Sequence, residues 1–546
     1  VTFRDDSLAA LYGQPAVSPR QRFVVVGDLC LSNRQELIDR LGLDEKSRSL
    51  SEAQLVARLW EAHGQSAPQM LEGMFAFVVW DRDRKSLYLV RDAAGARTLY
   101  YTTQGEARFC APQLATLARL VSTEIDSVAL RDYLCCAFVP GERTMLQDVR
   151  EVRPGTIIKL PNFQIETYWK VEERIEGADE PIKWHAEKLR SLLDQVIKEY
   201  LPKDAPVGAY LSGGLDSSLV VALAAKYHTS PVHTYSIHFG PDCPNELEFS
   251  SLVSSHCKTN HHIVEITPRD MWSLLPESMA YLDDPIGDPL TVPNLILGRK
   301  AKEDTDVILN GEGGDPCFGG PKNQPMLLGN IYRAINATNG EVVSAMPDQD
   351  AEYLASFQKC STDLPRLMKP EIWQEVKSEP SPFHADLNSD VNYLNRLLFI
   401  NIRYKGADHI LTKVNNLTSA VGIRGLSPLF DKRVVERSLT IPPQYKLSGA
   451  QEKAVLKEAV KDLLPAEIIE RPKSGMMVPV QLGFRKYWSR EARSLLLGRR
   501  ARIKRFLDQS LIREWLDYRG DTWSRYGVKL WLLVSLELWL QSHTRD

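Results

Sequence analysis

Short apolar runs separated by turn residues dominate the first third of the chain. Phe23-Val24-Val25-Val26, Phe75 to Trp80, Ser86 to Val90 and Thr156 to Leu160 each have the length and residue types of a strand, which predicts a sheet-rich unit. From about residue 180 the period changes. A helical spacing over Trp184 to Tyr200 alternates with buried-strand candidates at 207–211, 232–239 and 306–310, as a parallel doubly wound α/β sheet requires. After about 320 the pattern is mostly helical. Trp531 to Leu540 is too short to span a bilayer and contains Glu537, so it predicts a buried C-terminal helix. Between Val171 and Pro181 Glu, Gly and Asp replace apolar residues, which divides the chain into domains at 1–175 and 176–546.

The run Val207 to Tyr210 is followed by Leu211-Ser212-Gly213-Gly214-Leu215-Asp216-Ser217-Ser218 and then by an apolar helix start. Two glycines without Cβ atoms let an anion approach the backbone, and the opening N–H groups of a helix can hold phosphate oxygens. Asp216 would repel a bare phosphate, so its place among these donors implies Mg²⁺ bridging carboxylate and phosphate. No G-x-x-x-x-G-K-[ST] occurs, which separates the pattern from a Walker loop. It is similar to the SGGxDSS pyrophosphate loop of ATP pyrophosphatases, which cleave ATP between the α and β phosphates.

The candidate strand at 306–310 leads into a second glycine-rich turn, Asn310-Gly311-Glu312-Gly313-Gly314-Asp315-Pro316-Cys317-Phe318-Gly319-Gly320. Ligands of open α/β folds bind at such carboxyl-terminal turns. Asp315 is then a second ligand to the metal held by Asp216, and Glu312 faces the substrate as a base or an amine anchor.

Composition narrows the classes. With 546 residues, 43% hydrophobic and 25% charged, the chain reads as an ordinary globular protein, and a net charge of -3 offers no global attraction to nucleic acid or anionic membrane. Its eight cysteines, at 30, 110, 135, 136, 243, 257, 317 and 360, include no C-x-x-C pair, which points to a reducing, cytoplasmic location without structural zinc.

Together the two loops resemble the asparagine synthetase superfamily, which pairs SGGxDSS with G-[E/Y]-G-x-D, here Gly311 to Asp315. The resemblance implies that Leu211, Ser212, Gly213, Gly214, Asp216, Ser217, Ser218 and Gly311 bind the ATP phosphates. It also implies that Ser236 and Ile237, in Thr234 to Phe239, lie on the adenine-side strand. Asp283 to Asp288 resembles the following loop, and Arg471-Pro472-Lys473-Ser474-Gly475 the family's R-x-K-x-G segment, in which Lys473 would neutralise charge on the adenylate.

The first half is similar to the same family's glutaminase-like domain through Leu71 to Phe77 and Arg91 to Tyr101, implying an αββα fold of the Ntn-hydrolase type. A working glutaminase of this kind needs an N-terminal cysteine nucleophile. Here the sequence begins with Val1, and Gly27-Asp28 followed by Asn33 to Leu37 stands where the family carries an Asn-Gly-Glu motif. The expectation is a vestigial domain, as in β-lactam synthetases, carbapenam synthetases and lasso peptide macrolactam synthetases. Glu312, where β-lactam synthetases have tyrosine, is like asparagine synthetase. Arg424 and Leu426, in Gly422 to Asp431, replace that enzyme's glutamate and arginine, a charge reversal that argues against an unmodified aspartate site.

The expected activity is an AMP- and pyrophosphate-forming amide ligase using ATP and Mg²⁺ and no glutamine. It would act on a small molecule or peptide carrying a carboxylate and an amine, with a peptide-delivering partner protein compatible, as is a homodimer, and with no nucleic-acid or membrane partner. The alternatives are an ammonia-dependent asparagine synthetase and a tRNA-modifying ATP pyrophosphatase. His256, His261 and His262 lack a metal-site spacing and read as a helix end followed by a strand. Cys317 reads as a small buried filler, and Arg499 to Arg505 as a solvated helix face.

Overall fold

Alternating apolar positions of Phe23–Leu31 (β2) and Gly73–Asp81 (β3) pair antiparallel over nine residues each. They are joined by Ala16–Val17 (β1), Ser86–Arg91 (β4), Thr156–Leu160 (β8) and Gln164–Thr167 (β9) in a sheet of order β1-β2-β3-β4-β8-β9. Tyr100–Gln104 (β5), Ala107–Ala111 (β6) and Val149–Glu151 (β7) make a smaller sheet of order β6-β5-β7. Helix α1 (Glu52–His63), opened by a capping box of Ser51 and Gln54, packs against β2. The computed structural model describes residues 14–44, 49–241, 243–320, 349–448, 451–471, 477–518 and 525–545.

No helix or strand occurs over 168–181. Beyond it, α3 (Ile182–Tyr200) introduces a parallel sheet of five strands: β10 (Gly208–Tyr210), β11 (His233–His238), β12 (Asn260–Glu265), β13 (Val307–Leu309) and β14 (Arg424–Leu426). Their order is β12-β11-β10-β13-β14. The chain moves from β10 to β11 on one side and later returns to β13 on the other. The switch point therefore lies between β10 and β13, where open α/β sheets bind ligands.

The halves are not independent. Helix α2 (Ser127–Cys136) is buried from Ala129 to Cys136, and Tyr133 donates to Leu532 O at 2.9 Å on the C-terminal helix, Tyr526–His543. Arg153 pairs with Asp408 at 2.8 Å, and Lys432 with Glu72 at 2.8 Å. Asp92 locks the loop after β4, accepting from the N–H groups of Phe75, Ala94, Ala96 and Arg97. Among the described residues, no helix is long and apolar enough to cross a membrane.

Candidate active site

The phosphate-loop candidate leaves β10 and enters α4 (Leu215–Tyr227). Gly213 has φ +80°, and a Cβ there would lie 2.7 Å from Ser250 N, so the turn requires glycine. Ser212 and Ser217 hydroxyls lie 3.0 Å apart, and Ser212 Oγ accepts from Gly214 N at 3.3 Å. Ser217 Oγ donates to Gly214 O at 3.2 Å, closing the loop over the helix start. Ser218 departs from expectation. One helical turn beyond Gly214, it is fully buried, its hydroxyl has no hydrogen-bond partner among the described residues, and it is not among the residues that line the cavity.

The second loop presses on the first. Asn310 is buried and holds it in place, donating to Leu426 O at 3.0 Å and Ser427 Oγ at 2.9 Å and accepting from Glu312 N at 3.1 Å. A Cβ on Gly311 would lie 2.4 Å from Ser217 N, and one on Gly314 would lie 2.2 Å from Asp216 Cγ. Gly311 thus acts by letting the two backbones touch. Gly314 leaves room for the carboxylate of Asp216.

Asp216 and Asp315 converge as expected, and Lys453 lies between them, 2.5 Å from Asp216 Oδ2 and in contact with Asp315. Burial opposes a charge on Lys453, but the two carboxylates outweigh it and hold the ammonium well above the ordinary lysine range. Sequence reasoning missed Lys453. It is a single lysine ahead of the apolar helix Ala454–Val460, with nothing in its spacing to mark it. Two hard oxygen donors meeting one cation beside a phosphate-type loop fit Mg²⁺, which takes one or two carboxylates and completes its shell with phosphate and water.

A cavity of about 460 Å³ opens in front of the switch point, lined by Ser212, Gly214, Asp216 and Ser217 on one side and Gly311, Glu312 and Asp315 on another. Ile237 lines it, and the Ser236 hydroxyl donates to Leu211 O as a strut between strands. Behind Glu312 stands a group that sequence reading did not select. Lys413 Nζ lies 2.5 Å from Asp288 Oδ2, and His409 Nε2 lies 3.3 Å from the same oxygen. Burial raises Glu312 above its ordinary value, with Lys413 the main opposing influence. Burial also drives His409 down to about 4, so it is neutral at pH 7. Asp288 is half-buried, and Lys413 and His409 outweigh its desolvation and hold it well below the carboxylate range. His409 lies on a π-helical segment, Asn401–Leu411, continued by Thr412–Ala420, which carries Lys413. Such winding is uncommon and recurs at functional sites.

Lys473 lies outside the described residues. Arg471, two positions earlier, donates to Gly213 O at 3.1 Å, pairs with Glu246, and stacks its guanidinium 3.8 Å from the Phe249 ring centre. Arg424 corrects a sequence inference. It opens β14, paired with Val307 at the start of β13, and is exposed at the amino end of the sheet, off the cavity. Its charge therefore does not argue against aspartate there. Cys317 is buried with Sγ directed to Leu429 O at 3.7 Å, as expected of a filler.

In the first half, the Gly27-Asp28 turn is engaged by neighbouring side chains. Both the N–H and the carbonyl of Gly27 bond the Gln14 side chain, at 2.9 and 2.8 Å, and Asp28 pairs with Arg97 at 3.2 Å. Val1 lies outside the described residues.

Residues 188–541 match the asparagine synthase family model, and residues 7–169 match that of the glutamine amidotransferase domain. Asparagine synthetase [glutamine-hydrolyzing] 1 of Bacillus subtilis is 24% identical over 90% of this chain and 80% of its own length. Asparagine synthetase B of Escherichia coli is 22% identical, over 84% of this chain and 70% of its own length. The amidase chyE of Penicillium rubens is 24% identical, covering 82% and 75%. Among solved structures, the U34-tRNA thiolase NcsA of Methanococcus maripaludis aligns at 14% identity with a TM-score of 0.21, over 56% of this chain and 98% of that one. That score is too low to bear on the reading. With the family model spanning most of the chain and both loops meeting at the switch point, this protein belongs to the asparagine synthase family and is an ATP-dependent C–N ligase.

Proposed function

We propose that the chain adenylates a substrate carboxylate and joins it to an amine carried by a substrate, giving an amide or lactam, AMP and pyrophosphate, without hydrolysing glutamine. The observation that carries this reading is the engagement of Gly27 by Gln14 and of Asp28 by Arg97 where the family carries its Asn-Gly-Glu motif. The meeting of the Ser212 to Ser217 and Gly311 to Asp315 loops at one cavity supports the adenylation step.

In this reading the Ser212 to Ser217 loop would hold the ATP phosphates, and the N–H groups at the start of α4 would orient the pyrophosphate leaving group. Asp216 and Asp315 would hold Mg²⁺, which supplies charge neutralisation on the phosphates. Lys453 keeps the two carboxylates fixed and compensated. The substrate carboxylate attacks the α-phosphorus, and an amine then attacks the acyl-adenylate. Glu312 takes the amine proton, its raised pKa bringing it closer to the operating pH. Lys473 would neutralise the charge developing at the carbonyl.

A second reading, an ammonia-dependent asparagine synthetase, is favoured by Glu312 and by the position of Arg424 away from the cavity. A tRNA-modifying activity lacks support in the cavity. Cys136, the cysteine among the lining residues, is held protonated by burial and offers no exposed thiol relay.

The test is ATP–pyrophosphate exchange with Mg²⁺ across aspartate, β-amino acids and precursor peptides, with glutamine and ammonia varied separately. Exchange driven by a non-aspartate carboxylate, with product formed without either nitrogen source, supports the proposal. Aspartate-dependent exchange with ammonia-dependent asparagine overturns it.

A further inference from the structure

The histidines discounted in the sequence gain partners from the fold. Side chains alternate along a strand, so His233 and Tyr235 share one face of β11. The parallel register sets His262 of β12 opposite Tyr235, on that same face, while His261 falls on the other and contacts the Thr234 hydroxyl at 2.9 Å. Asp304, in the turn between Thr291–Lys302 and β13, reaches the pair from a third element. No one-dimensional spacing could reveal this set, because its members are 29 and 42 positions apart.

The three donor atoms form a compact triangle. His233 Nδ1 and His262 Nε2 are 3.2 Å apart, and they lie 3.9 and 3.6 Å from Asp304 Oδ2. A point equidistant from three atoms so spaced lies about 2.1 Å from each, the length of a zinc bond to imidazole or carboxylate. The edges of a tetrahedral zinc site with such bonds are about 3.3–3.5 Å, so the triangle needs adjustments of only a few tenths of an ångström. All three side chains keep about a quarter of their surface in solvent, enough to admit a water as fourth ligand. The Tyr235 hydroxyl donates to Asp304 Oδ2 at 2.9 Å and its ring stacks on His262 at 4.9 Å, supports of the kind that orient metal ligands.

We propose that His233, His262 and Asp304 bind one divalent transition ion of the zinc type, tying together β11, β12 and the turn before β13. Two imidazoles and one carboxylate select such an ion over Mg²⁺, which prefers an all-oxygen shell. The site is therefore chemically distinct from the Asp216–Asp315 pair. Binding requires the proton between the two facing nitrogens to move to the other nitrogen of its own ring. No bond to carbon changes. Tyr235 also lines the adenylating cavity, so the ion would brace the strand that carries Ser236 and Ile237.

The experiment uses the full chain, stripped with chelator, exchanged into chelator-free buffer, then loaded with Zn²⁺ or Co²⁺. The readouts are metal content after gel filtration, the visible d–d absorption of bound Co²⁺, and the melting temperature with and without Zn²⁺. Wild type should retain one equivalent, show tetrahedral cobalt absorption and melt higher with Zn²⁺. His262→Gln and Asp304→Asn, checked by metal-free melting, should each lose at least tenfold in affinity and lose the zinc-dependent shift. Tyr235→Phe should weaken binding by about tenfold. Should His262→Gln fail to fold, Asp304→Asn alone decides. No uptake by wild type, or retention by the variants equal to wild type, overturns the proposal.

Discussion

Replacing Gly314 by alanine isolates the position of one carboxylate. The backbone at Gly314 is not left-handed, and the residue opens a short helix, Gly314–Phe318, so alanine fits its conformation. Helix propensity alone would favour the change by up to about 1 kcal/mol. The new methyl, however, would sit 2.2 Å from Asp216 Cγ and Oδ1 and 2.5 Å from Oδ2. Ordinary carbon contacts are about 3.5–4.0 Å, so the carboxylate must retreat by more than about 1 Å. Side-chain rotation can accommodate that without moving the backbone, but Asp216 then leaves Lys453 and the position it shares with Asp315, a loss of up to about 3 kcal/mol. A displacement of that size at a reacting centre costs roughly 10²-fold in rate. The expected result is melting lowered by no more than the equivalent of about 3 kcal/mol, with ATP–pyrophosphate exchange down about 10²-fold, close to Asp216→Ala. Exchange within twofold of wild type would refute the assignment of Asp216. A collapse in melting temperature would refute the claim that only a side chain must move.

Three further outcomes are expected. Lys453→Met leaves two carboxylates facing each other without compensation; melting should fall by the equivalent of about 3 kcal/mol, less than for a fully buried pair because Asp315 is partly solvated, and exchange should be lost. Because burial raises Glu312 above 4.5, amide formation at saturating substrate should show an acid limb above that pH which Glu312→Gln removes, while exchange lacks it. Asp283 is buried and shifted from 3.8 to about 6 by desolvation, against hydrogen bonds from Asn416 and Leu114. The folded state binds its proton more tightly, so this contribution is fully present below 3.8 and is lost as pH rises through about 6. Asp283→Asn should flatten that part of a melting-temperature profile, and an unchanged slope would contradict it.

The chain's own pattern determined a good deal. The runs at 207–211 and 306–310 became β10 and β13 because short apolar runs between turn signals suit strands covered on both faces, and 232–239, with polar residues interspersed among its apolar ones, became β11. The phosphate loop and Gly311 to Asp315 were legible because their chemistry is local, with glycines, hydroxyls and acids adjacent in one turn. Only tertiary structure decided which groups meet across distant elements. Lys453 joins Asp216 and Asp315 from 237 and 138 positions away, and His409 and Lys413 reach Asp288 from a π-helical segment and the α-helix that continues it, with no distinct sequence period. It also moved Ser218 inward by a helical turn and put Arg424 at the far end of its strand. The physical reason is that local pattern reports the period and the turn chemistry of one segment. Which faces of separate segments converge is set by sheet order and register.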